Sequence, residues 1–67
     1  MKDYVVRANI AYYSTLLDIK QGTLENTLGI SRQTFNRKSR ENLFTIRELK
    51  TLAKTLKCSV TDLVNGL

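Results

Sequence analysis

Residues 21–40 read QGTLENTLGISRQTFNRKSR. Leu24 and Leu28 lie four residues apart, on one face of a helix running from about Gln21 to Leu28. Gly29 follows, the residue type that most readily takes the left-handed conformation ending a helix. Two residues on, Ser31 can cap a further helix from Arg32 to about Lys38. Helix, glycine-containing turn, helix is the spacing of a helix-turn-helix.

The chain on either side carries the same helical period. A first segment, roughly Tyr4 to Asp18, spaces Val6, Ile10, Tyr13 and Leu17 as one apolar stripe. A fourth opens on Thr45-Ile46-Arg47-Glu48, a capping box, and places Ile46, Leu49, Leu52, Ala53 and Leu56 on its buried face. A fifth opens on Ser59-Val60-Thr61-Asp62, a looser box, and runs through Leu63 and Val64 to a stop at Gly66. There is no proline and no repeat, so the expectation is all-α: one domain over residues 1–67, built of five short helices.

Composition narrows the chemistry. Cys58 is the single cysteine and histidine is absent, which excludes an intrachain disulfide and a Cys/His zinc site. With no histidine, no paired carboxylates at helical spacing and no glycine-rich phosphate loop, no catalytic machinery, cofactor or metal is expected. Cys58 reads as a small apolar residue, and Tyr4, Tyr12 and Tyr13 as core or boundary residues. No run approaches the ~18 apolar residues that span a bilayer, and the opening MKDYVVR lacks a signal peptide's apolar block. A cytoplasmic protein is expected.

The formal charge is +5, and its distribution is uneven. Lys20, Arg32, Arg37, Lys38 and Arg40 face only Glu25 between residues 20 and 40, whereas the flanking segments are nearly balanced. A local excess of this kind is the footprint of a site for a polyanion. Advancing ~100° per residue along the third helix puts Arg32, Gln33, Asn36 and Arg37 on one polar arc, joined by Arg40 if the helix lasts that long, with Phe35 on the buried side. Arginine forks onto guanine, and glutamine and asparagine pair with adenine, in a DNA major groove. Ser31 and the helix N-termini are candidates for phosphates. A second basic stripe, Arg47, Lys50, Lys54 and Lys57 on the fourth helix, reads as a solvated face, with an extra phosphate contact or a surface for an acidic partner as the alternatives.

Gln21, Leu24, Leu28-Gly29-Ile30-Ser31, Thr34-Phe35, Leu49, Leu52-Ala53 and Leu56 resemble the lambda-repressor/Cro type of helix-turn-helix, also called the XRE family, from about Ile10 to Leu63. The segment Thr34 to Lys38, with Phe44-Thr45 and Glu48-Leu49, is similar to a subset from temperate phages. The resemblance implies a regulator of a lysis/lysogeny switch that binds double-stranded DNA. Gln21 would contact a phosphate or brace the recognition helix, and Arg32, Gln33 and Arg37 would sit at its base-reading positions. The DNA-binding set is therefore Gln21, Ser31, Arg32, Gln33, Asn36, Arg37, Lys38 and Arg40.

This chain departs from the family pattern at several positions. Glu25 stands where the family prefers alanine, and is expected to tilt outward toward Arg40 or Lys38. Lys38 stands at a position more often apolar, where its stem could cover the core while the ammonium reaches water. Lys20 and Gly22 replace a capping residue and a good helix former, which predicts a weak start to the second helix. These departures, with the absence of a separate dimerisation domain, leave open an alternative: an antirepressor or modulator that binds the DNA-binding domain of a partner repressor, alone or jointly on DNA. A weak homodimer through Leu63, Val64 and Leu67 is a further expectation, set against ordinary core packing of the last helix.

Overall fold

A computed structural model describes residues 5–65. It contains α1 (Val5–Leu17), α2 (Gln21–Leu28), α3 (Arg32–Glu41), α4 (Ile46–Thr55) and α5 (Val60–Val64), and no strand among the described residues. The expected start at Tyr4, the stop at Gly66 and the edge residue Leu67 lie outside the described residues. No helix of the structure is long and apolar enough to cross a membrane.

One core gathers a side chain from every helix. Val6 and Ile10 of α1, Leu24 of α2, Phe35 of α3, Leu49, Leu52 and Ala53 of α4, Leu56 just beyond it, and Leu63 of α5 are all buried, as is Phe44 from the loop before α4. α1 packs chiefly on α5, α2 on α4, and α3 on α1 and α2. Leu63 is fully buried, so it belongs to the core and not to an outer edge.

The helix ends follow local chemistry. Gly29 caps α2 at φ 68°, and its N–H reaches the carbonyls of Glu25 and Asn26. Ser31 caps α3 by accepting from the Thr34 N–H at 3.1 Å. Both capping boxes close: Thr45 with Glu48, and Ser59 with Asp62. At the start of α2, Lys20 offers no side-chain cap, as its chemistry predicts.

The structure corrects the pattern at helix ends. α1 stops at Leu17 because Asp18 turns left-handed at φ 55°. Leu17 is therefore exposed, and Ile19 packs against the core after the turn. Ile46 is 64% exposed although it was expected on the buried face of α4. As the first residue of α4 it projects past the edge of the core, with Leu43 of the loop also exposed. α3 runs on to Glu41, closed by Asn42 at φ 56°, which makes Arg40 a helical residue.

A buried polar residue outside the apolar pattern ties the chain ends together. Asn9 is 1% exposed, and its Nδ2 donates to the carbonyls of Leu63 at 2.8 Å and Asn65 at 2.7 Å. The carbonyls at the end of a helix have no partner within it. Asn9 supplies one from α1.

Two changes test this account by thermal melting. Asn9→Ala removes the shared donor and is expected to cost about 1–3 kcal/mol. Gly22→Ala should stabilise by about 0.5–1 kcal/mol, because an added Cβ meets nothing within 4 Å and alanine is the better helix former.

Candidate nucleic-acid interface

α3 turns its arc to solvent as its phase requires. Phe35 is 2% exposed and meets Phe44 edge-to-face, with ring centroids 5.4 Å apart. With that ring seated inward, Arg32, Gln33, Asn36, Arg37 and Arg40 are all exposed. No carboxylate pairs with Arg37 or Arg40 among the described residues. Arg40 instead donates from Nε to the Asn36 carbonyl at 3.4 Å, a long bond that leaves its terminal nitrogens free.

Gln21 bridges α2 to α3. Its Nε2 has two hydrogens, and both are spent: one on Glu25 Oε2 at 2.8 Å, the other on Asn36 Oδ1 at 3.0 Å. Of the two roles open to Gln21, this geometry serves the brace. The Ser31 hydroxyl is likewise engaged locally, donating to Thr34 Oγ1 at 3.0 Å while it caps the helix.

Glu25 does not tilt outward toward Arg40 or Lys38. It is buried, held by Gln21, with Arg32 Nε at 3.9 Å from its Oε2. Gln21 and Arg32 meet it there instead, and Lys38 has a partner of its own. Its Nζ lies 2.6 Å from Glu48 Oε2, with both side chains mostly buried. The ammonium is directed to a carboxylate of α4 and not to open solvent. Of the eight residues in the DNA-binding set, Arg32, Gln33, Asn36, Arg37 and Arg40 form the exposed arc; Gln21 and Ser31 are exposed beside it and hydrogen-bonded to neighbours, and Lys38 is half-buried on Glu48.

Glu48 uses both oxygens, Oε1 accepting from the Thr45 N–H at 2.9 Å and Oε2 from Lys38. Burial alone would raise its pKa; the hydrogen bonds from Lys38 and Thr45 and the lysine's charge outweigh that and hold it below the ordinary glutamate value. Burial pushes the Cys58 thiol up, and Asp62 adds to it. That keeps the sulfur protonated, consistent with a small packing residue.

A residue outside the sequence pattern joins this face. A notch of about 280 Å³ is lined by Arg7 of α1 with Asn36 and Arg40 of α3, beside a cavity of about 300 Å³ between α1, α2 and α3. Arg7 is the sole charged residue of α1 and carries no ion pair among the described residues. Nothing in its own stretch of sequence marked it; only the crossing of α1 over α3 brings it to the arc.

A family model for the Cro/C1-type helix-turn-helix DNA-binding domain matches residues 12–65. The chain belongs to this family. No curated protein and no solved structure gives a significant match. As a Cro/C1-type domain it is a DNA-binding regulator, with α2 and α3 as its helix-turn-helix.

The Glu48 shift has a sign that titration can check. A carboxyl whose pKa is lowered by folding stabilises above its unfolded value, ~4.3, and loses that contribution as pH falls through the folded value. The melting temperature should therefore drop below pH ~4.3. Glu48→Gln, which keeps an acceptor for Thr45 but no charge for Lys38, should cost about 1 kcal/mol at pH 7 and remove part of that acid slope.

Proposed function

We propose that the chain is a transcription regulator that inserts α3 into the major groove, reading bases with Arg32, Gln33 and Arg37 and contacting the backbone with Asn36, Arg40 and Arg7. The observation that carries this reading is the exposed arc of α3, rich in arginine and amide side chains, opposite the buried Phe35. Those residue types at that phase suit base edges. Gln21 and Lys38 act from within, the first bracing α3 against α2 and the second against α4. The single domain spans residues 1–67.

The likeness of the Thr34 to Lys38 segment to temperate-phage proteins supports a place in a lysis/lysogeny switch, working in the bacterial cytoplasm. A lone helix-turn-helix reads few base pairs, so a second copy on a paired half-site is part of the reading. The alternative, a modulator that binds a repressor's DNA-binding domain, is favoured by the exposed apolar pair Leu43 and Ile46 beside α3.

Titration against the promoter DNA upstream of its own gene, at two salt concentrations, separates the readings. Three or four neutralised phosphates give a log–log salt slope of about −3. Arg37→Ala should cost about 1–3 kcal/mol and relax preference at one base pair. Binding that ignores both salt and sequence would overturn the DNA-reading role of α3. If the protein alone binds poorly but alters the DNA binding of an added repressor, the modulator reading takes its place.

A further inference from the structure

Glu25 is the acid that the reading of α3 leaves without a task. It is the only carboxylate between residues 20 and 40, in the segment with the largest positive excess. It lies on the inward face of α2, with its side chain 12% exposed, while the Arg32 side chain beside it is 77% exposed. A carboxylate at such a place is unfavourable unless its lone pairs are met and its charge is opposed. Gln21 meets one lone pair and Arg32 opposes the charge.

The geometry of those two contacts matters more than their number. Gln21 spends its second hydrogen on Asn36 Oδ1, so Glu25, Gln21 and Asn36 form one hydrogen-bonded chain from the inside of α2 to the arc of α3. Glu25 also approaches Arg32 at Nε. A guanidinium engaged at Nε keeps its two terminal nitrogens as an end-on fork, which is the fork that meets guanine O6 and N7.

We propose that Glu25 is a positioning residue for sequence discrimination: it orients Arg32 through Nε and Asn36 through Gln21, and its charge penalises docked arrangements in which Arg32 falls back onto a phosphate. This rests on α3 being the DNA-reading helix. In the free protein the 3.9 Å pair is open to water on the Arg32 side and weak. On a duplex the water leaves, the effective dielectric falls and the same pair strengthens. On non-matching DNA Arg32 finds no base edge, and the carboxylate stands near phosphates with nothing gained in return. Glu25 thus lowers affinity for wrong sequences more than for the right one.

The test is a cycle of Glu25→Gln and Arg32→Ala, with binding measured to a duplex selected from a random pool by the wild-type protein and to a scrambled duplex. Glu25→Gln keeps the side-chain shape and an oxygen for Gln21. Glu25→Ala is the second variant should the glutamine fail to fold. With Arg32 present, removing the charge is expected to tighten scrambled-duplex binding by roughly 3–10-fold and make the salt slope steeper by up to ~1. The ratio of selected to scrambled affinity should fall by a similar factor. In the Arg32→Ala background that ratio should change clearly less than with Arg32 present, because only the route through Gln21 to Asn36 remains. A general loss of folding would instead weaken both duplexes alike. An unchanged ratio with Arg32 present, or an equal loss in both backgrounds, would overturn the role of Glu25 and leave the reading of α3 standing. Failure of the wild-type protein to select any sequence would overturn both.

Discussion

The rotation of α3 about its own axis is set by Phe35, and the surface of the molecule depends on it. The ring is buried against Phe44, and through it α3 is anchored to the core that all five helices share. Successive helical residues are ~100° apart, so moving the anchor by one position would carry an arginine toward the core and an apolar ring toward water. Neither is tolerable in a domain this small, where one core supplies nearly all the stability. The polar arc is thus a by-product of a single hydrophobic constraint.

That constraint fixes rotation but not tilt, and tilt is set by polar ties from the middle of α3 to two different helices. Gln21 links it to α2 through Asn36. Two residues on, Lys38 links it to α4 through Glu48, whose other oxygen is already holding the first turn of α4 through Thr45. One carboxylate thereby serves as a helix cap and as an interhelical clamp. A charge-assisted bond with both partners mostly buried is strong enough to hold position, unlike an exposed surface pair.

The five helices, the arc and the caps at Gly29, Ser31 and the two capping boxes were legible in the sequence because each depends on local period and end chemistry next to the residues it serves. What was not legible depends on distance along the chain. Asn9 is a polar residue on an apolar stripe, and its partners lie more than fifty residues away. Arg7 comes to the arc only through the crossing of α1 over α3. Ile46 and Leu17 carry the right phase but sit where a helix overhangs or leaves the core, and periodicity has no term for where a core ends. Glu25 was expected to tilt outward because it stands where the family prefers a small alanine; the structure keeps it buried and meets its carboxylate with Gln21 and Arg32, neither of which announces itself as a partner in the sequence.

The start of α2 shows how a weak local signal becomes a tertiary device. Lys20 gives no cap and Gly22 lowers helix propensity, so the first turn of α2 has little stability of its own. Gln21 lies in that same turn and reaches both Glu25, one turn on, and Asn36 of α3. Its bonds to these two hold the turn in place of a cap, and the turn holds α3 in return. The start of α2 and the placing of Asn36 on the arc thus share one side chain, Gln21. A better cap at residue 20 would make the turn independent of α3. The uncapped sequence leaves the first turn of α2 tied to α3 through Gln21 and Asn36.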